Sequence, residues 1–242
     1  MLTAIIICSV YISILFVLTK LFGVKYTDVI KSTANIKNGI IFPIGISTLL
    51  LIIFAAAFSY LPSVLHFSPQ VNIPVLWIVP AITIISIVAR FTKARWNYFE
   101  KKGLVLLIIS VATIGISEEL LVRGITVSAL QDGGFSIFWT GIISSLIFGI
   151  LHFSNYFNGQ DLKKTTIQVG GTFLMGLNFY ILLVISGSLW LPIILHALYD
   201  FSILALGPDP KFKESIGTTV ITITTIGLFL LPIVGFIFLL PL

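Results

Sequence analysis

The chain has 242 residues, of which 57% are hydrophobic and 10% charged, whereas charged residues make up about a quarter of an ordinary soluble domain. Its mean hydropathy of +1.13 predicts an all-α fold, a polytopic membrane helical bundle, because each crossing takes about 20 mostly apolar residues. The single cysteine, Cys8, excludes an intrachain disulfide and any multi-cysteine zinc site.

Eight spans are predicted in chain order, at 3–23, 40–61, 73–91, 104–130, 136–154, 166–186, 190–206 and 217–240. No long polar linker, low-complexity tract or repeat separates them, so residues 1–242 read as one transmembrane domain. The segment from Met1 to Tyr11 has no basic n-region, and the first run reads as a retained helix rather than a secretory signal. In span six, Gly170, Gly171 and Gly176 permit close helix approach. Pro192 falls in the first turn of span seven, where a missing N–H is tolerated.

Basic residues sort the connections. Lys20, Lys25, Lys31 and Lys37 fall between spans one and two. Arg90, Lys93, Arg95, Lys101 and Lys102 fall between three and four, Lys163 and Lys164 after five, and Lys211 and Lys213 after seven. The alternate connections, around His66, Asp132 and Gly187, hold no Lys or Arg. Thirteen of the fourteen basic side chains therefore lie in alternating loops, which predicts that those loops are cytoplasmic and both termini external. The net charge of +5 is thereby explained by topology, with the lipid bilayer as the partner and no nucleic acid.

The fourteenth, Arg123, lies inside span four, in the run Gly115-Ile116-Ser117-Glu118-Glu119-Leu120-Leu121-Val122-Arg123-Gly124. Each charge at membrane depth costs a few kcal/mol, and such residues usually line a polar cavity. Glu119 and Arg123 are four apart with the acid N-terminal, the favourable order for a pair on one helix face. Glu118 is rotated about 100° from them and is free to face another environment. One glutamate reads as structural and the other as available for chemistry, although a protonated Glu118 joining two helices fits the spacing as well.

Two later spans add polar groups. Span five ends Phe148-Gly149-Ile150-Leu151-His152, with Phe148 and His152 on one face. Span seven carries His196 and Asp200 four apart, one above the other. Such a pair can bind a metal, hold a tautomer, relay a proton, or simply satisfy itself. Counted from the nearest basic loop residues, Glu118, His152, His196 and Asp200 come to a similar depth, so one intramembrane site can contain all four.

Glu-Glu-x-x-x-Arg, then Phe-x-x-x-His, then His-x-x-x-Asp, on successive helices, resembles the CPBP family of intramembrane proteases. That family includes CAAX prenyl endopeptidases and bacterial bacteriocin-processing or self-immunity proteins. The resemblance rests on Glu118, Glu119, Arg123, Phe148, His152, His196 and Asp200 and covers roughly residues 104–206. It implies that Glu118 and His152 activate a water molecule, that His196 and Asp200 stabilise an oxyanion or hold the water, and that Glu119 and Arg123 brace the site. Prenyl-protease relatives carry asparagine at the last position. Asp200 would therefore be protonated, orient His196 or bind a metal. The same four residues, Glu118, His152, His196 and Asp200, form a conceivable zinc set; a metal-free glutamate mechanism is the reading favoured here.

The function expected is an intramembrane endopeptidase acting on a hydrophobic or membrane-anchored peptide: a bacteriocin or pheromone precursor, a toxin, or a CAAX-type substrate. The expected location is the plasma membrane of a bacterium. A non-catalytic scaffold or self-immunity protein that binds a membrane partner is the alternative. A proton-coupled transporter is a third reading, weakened by the lack of an inverted repeat.

Overall fold

The computed structural model describes residues 2–57, 68–207 and 216–241, apart from the side chains of 2–4 and 216–220. His66, Lys211 and Lys213, used above to sort the loops, lie outside the described residues. Among the described residues, eight long helical stretches run in order: α1 (Leu2–Phe22), α2 (Thr33–Ala57), α3 (Pro74–Phe91), α4 (Lys101–Asp132), α5 (Ile137–Leu151), α6 (Leu162–Ser186), α7 (Trp190–Leu204) and α8 (Ile216–Ile237). No strand occurs among the described residues. Among the described residues, six helical stretches are long and apolar enough to cross a membrane, α1 through α6, with α5 continued by a short turn to Phe157. The chain is an integral, multi-pass helical bundle. At 15 residues, α7 is only about 22 Å long, shorter than a full crossing.

Local chemistry sets the ends. Ser32 accepts a hydrogen bond from Asn35 N, Ser136 from Trp139 N and Asp161 from Lys164 N, each relieving an orphan donor of a first turn. Pro74 opens α3, where its missing N–H costs nothing. The cap at Ser32 starts α2 at Thr33 and not at residue 40, so Lys37 lies within the helix, in a wider π-type turn over Lys37–Ile41. Arg90 likewise differs from its predicted loop position. It sits in the last turn of α3, 5% exposed, donating to Ser86 Oγ and Thr225 Oγ1, with its guanidinium over the Tyr199 ring. Neutral hydroxyls and an aromatic face satisfy this cation well enough to be buried.

The helices are not equivalent in the bundle. Of the most apolar window of α6, 61% is buried, against 17% for α1. Helix α6 packs on α5, α7 and α8; α4 packs between α2 and α7 and meets α1 through its second half. The outer faces remain covered with large apolar side chains such as Ile53, Val88, Ile150 and Ile226, as expected for helices bathed in lipid.

Candidate functional site

Helix α4 changes pitch where its acidic pair ends. Leu120–Thr126 forms a π-type turn, fully buried, with Arg123 inside it; such bulges in α-helices recur at functional positions. Arg123 is 0% exposed and is engaged from several sides through its terminal nitrogens, while its Nε makes no hydrogen bond. Its Nη1 donates to Glu119 Oε1 at 3.1 Å and its Nη2 to the Gly176 carbonyl at 3.0 Å. The guanidinium carbon lies 4.4 Å from the Phe148 ring centre and 5.4 Å from that of Phe179.

Two glycines make these approaches possible. A Cβ at Gly176 would lie 2.9 Å from Ser145 Cβ, so α5 and α6 touch there and the Gly176 carbonyl comes within reach of Arg123. A Cβ at Gly115 would lie 3.0 Å from the Ile193 carbonyl oxygen, so α4 and α7 close up one turn before Glu119. Gly170 and Gly171 have no such tight neighbour. Of the three glycines singled out in span six, only Gly176 brings two helices together.

The α4–α7 contact delivers His196. Its Nδ1 is 2.7 Å from Glu119 Oε1, and its ring stacks on Phe179 at 4.7 Å between centres. The spacing of span seven suggested His196 and Asp200 as mutual partners. Their closest approach, Nε2 to Oδ2, is 3.6 Å, beyond a good hydrogen bond. The short bond goes to Glu119 instead, so Glu119 joins Arg123 and His196.

His152 follows the last residue of α5, and its Nδ1 lies 2.9 Å from the Phe148 carbonyl oxygen. A carbonyl only accepts, so this contact assigns the proton to Nδ1 and leaves Nε2 as an acceptor. Both imidazoles then present Nε2 to the same atom. Glu118 Oε2 stands 3.9 Å from His152 Nε2 and 3.7 Å from His196 Nε2. That oxygen is buried and makes no hydrogen bond. The side chains of Glu118, Asp200 and His152 are 25%, 29% and 16% exposed, against 0% for Glu119 and Arg123. The open side of the cluster is thus the Glu118–Asp200 side.

All seven residues expected at a shared site therefore come together. Sequence reasoning missed Phe179, Gly115 and Tyr11. Phe179 belongs to a helix with no motif, and Gly115 was quoted within the acidic run without a role. Tyr11 lies on α1, where its hydroxyl meets Ser117 Oγ at 2.5 Å, next to Glu118. A lone buried tyrosine in an apolar helix was its only signal.

The donor pairs are a few tenths of an ångström wider than the spacing of a zinc ion's own ligands. Ligands 2.0–2.1 Å from a tetrahedral ion are about 3.3 Å apart, whereas the pairs here are 3.6, 3.7 and 3.9 Å apart. Among the described residues, no group of three or more His, Cys, Asp or Glu side chains is gathered to hold a metal.

With this geometry in hand, comparison with known proteins is informative. A curated relative, the Bacillus subtilis (strain 168) protein named "Putative membrane peptidase YdiL", is 33% identical over 106 residues, 43% of this chain. The match spans 38% of that relative's length. Residues 100–202, which contain every residue of the cluster from Glu118 to Asp200, match the family described as type II CAAX prenyl endopeptidase Rce1-like.

Proposed function

We propose that this protein is an intramembrane endopeptidase that hydrolyses a peptide bond of a hydrophobic or membrane-anchored peptide, using water activated by Glu118. One observation carries the reading. A buried carboxylate oxygen without a hydrogen bond faces two imidazole Nε2 atoms at 3.7 and 3.9 Å. Those separations are too long for direct bonds, and a water within hydrogen-bond reach of Glu118 and an imidazole would bridge them. The relative's name and the family's description, a membrane peptidase and a prenyl endopeptidase, support the same class of chemistry.

In the proposed reaction the water donates one hydrogen bond to Glu118 and the other to His152 Nε2. Its oxygen attacks the scissile carbonyl carbon while its proton passes to Glu118. The carbonyl oxygen becomes an oxyanion. His196, held through Nδ1 by Glu119, donates to that oxyanion from Nε2 in its doubly protonated form, with Asp200 supplying counter-charge. Glu118 then returns the proton to the amide nitrogen as the C–N bond breaks, leaving a carboxylic acid and an amine. Glu119 and Arg123 hold α4, α6 and α7 in register around these steps. The route needs no metal ion.

Bacteriocin or pheromone precursors, peptide toxins and CAAX-type proteins are the substrate classes proposed, in a bacterial plasma membrane. The basic loops would face the cytoplasm, and a reporter fused after Leu242 would then read as external. Cleavage itself is tested with purified protein in nanodiscs and a hydrophobic peptide library read by mass spectrometry. Wild type is expected to cut and Glu118→Ala to leave the library intact. A wild-type protein that cuts nothing would sink the reading in favour of a binding scaffold.

A further inference from the structure

The two histidines of the cluster are held very differently. His196 lies within α7, 4% exposed, stacked on Phe179 and bonded to Glu119. His152 is the C-cap of α5, where intrahelical bonds run out and helices fray. Beyond its own contact with the Phe148 carbonyl, its placement 3.9 Å from Glu118 depends on what holds the turn that follows, Ser154–Phe157.

That turn is gripped from the other end of the chain. Asn155 N donates to the His152 carbonyl at 3.1 Å. Asn155 Nδ2 donates to Gln168 Oε1 at 3.0 Å, and Gln168 Nε2 donates to the Tyr26 hydroxyl at 3.1 Å. Tyr26 N donates to the Asn158 carbonyl at 2.9 Å, Lys20 Nζ to the Phe157 carbonyl at 2.5 Å, and Phe16 meets Phe157 edge to face. The end of α1 and the segment after it thus engage residues 155–158 through main chain, side chain and ring. Although 39% of Tyr26 is exposed, its phenolic end is crowded by protein. That crowding first, and also the nearby carboxylates of Asp200 and Glu118, hold its proton more tightly than in an ordinary tyrosine, against the opposing effect of the Gln168 bond.

We propose that Tyr26, through Gln168 and Asn155, is a positioning residue that fixes His152 against Glu118, making the first basic loop a working part of the site. This residue lies outside the family match at 100–202, so the N-terminal helices would be required for more than insertion. The proposal rests on the hydrolytic reading. A displaced catalytic group costs turnover more than binding, and an ångström can cost on the order of 100-fold.

The test uses Tyr26→Phe, which keeps the ring and the main-chain bond to Asn158 and removes only the hydroxyl. A library peptide cut by wild type serves as substrate, with Tyr98→Phe in the next basic loop as control. Tyr26→Phe should lower kcat on the order of 10-fold with KM little changed, and speed amide hydrogen exchange over 152–159. Tyr98→Phe should change neither. Wild-type exchange and kcat in Tyr26→Phe would overturn the proposal, as would a loss confined to KM. If wild type cuts no peptide, hydrolysis fails on its own account, and the exchange experiment alone still decides whether Tyr26 braces the His152 turn.

Discussion

Glu118 and Glu119 are neighbours of one residue type, and the regions they enter behave in opposite ways. On the Glu119 side, one carboxylate oxygen takes bonds from both Arg123 and His196, and aromatic rings and the Gly176 carbonyl complete the enclosure. On the Glu118 side, the imidazoles stand back at 3.7 and 3.9 Å from Oε2 and the surroundings are partly open, while each of the two glutamates keeps one buried oxygen without a hydrogen bond. A buried ion pair costs desolvation that good geometry only offsets, while breaking one strands a charge. An unpaired carboxylate facing two imidazoles gains nothing for the fold. The contrast is one of engagement: Glu119 Oε1 is clamped by Arg123 and His196, and that clamp holds the helices that set Glu118 opposite the imidazoles.

Substitutions can break that contrast. The largest effect is expected from Glu118→Gln, which should cut the cleavage rate by roughly 10²–10⁴-fold and leave the thermal midpoint and elution profile near wild type. A Glu118→Gln protein that aggregates would show that this side also holds the structure together. Next comes Arg123→Ala, expected to lower stability by about 3–5 kcal/mol and read as lost folded yield in detergent. Here a well-folded product would remove the structural half of the comparison.

Gly115→Val should act at smaller scale. Its new side chain meets the Ile193 carbonyl, pushing α7 from α4, with a loss of about 1–3 kcal/mol for overpacking. Since His196 rides on α7, activity should fall further than stability. Equal losses in both would argue that the α4–α7 contact only supports the fold. Asp200→Asn should cost about 10-fold, because it removes one counter-charge from His196 while Glu119 still holds the imidazole at 2.7 Å. The smallest effect is expected from a chelator, which should change the rate less than about twofold if the proposed metal-free route holds; complete chelator-induced loss would make Glu118, His152, His196 and Asp200 a metal set instead.

Some of this arrangement was legible in the residues and some was not. The Glu119–Arg123 pair follows from helical spacing, because residues four apart share a face whatever surrounds the helix. Glu118's freedom followed from the same geometry. The partner of His196 did not. Spacing within span seven pointed to Asp200, and the decisive bond crosses to Glu119, 77 residues away in sequence. The start of α2 moved to take in Lys37, because a serine cap begins the helix earlier, and Arg90, grouped by charge with the loop, is buried in the last turn of α3 by neutral partners for its guanidinium.

Hydropathy determined that the chain is a membrane bundle, and the spacing of Glu118, Glu119, Arg123, Phe148, His152, His196 and Asp200 determined which residues carry charge and imidazole at depth. Both are local properties, fixed by the length of an apolar run and by 3.6 residues per turn. Only the tertiary structure decided which faces meet, because helices apolar on nearly every side carry little pattern to say which side turns inward. Close approach at Gly115 and Gly176 set the helices near enough for Glu119 to take His196 and Arg123 to reach a neighbouring carbonyl. Those approaches engage Glu119 Oε1 with Arg123 and His196, and leave Glu118 Oε2 facing two imidazoles at 3.7 and 3.9 Å without a hydrogen bond.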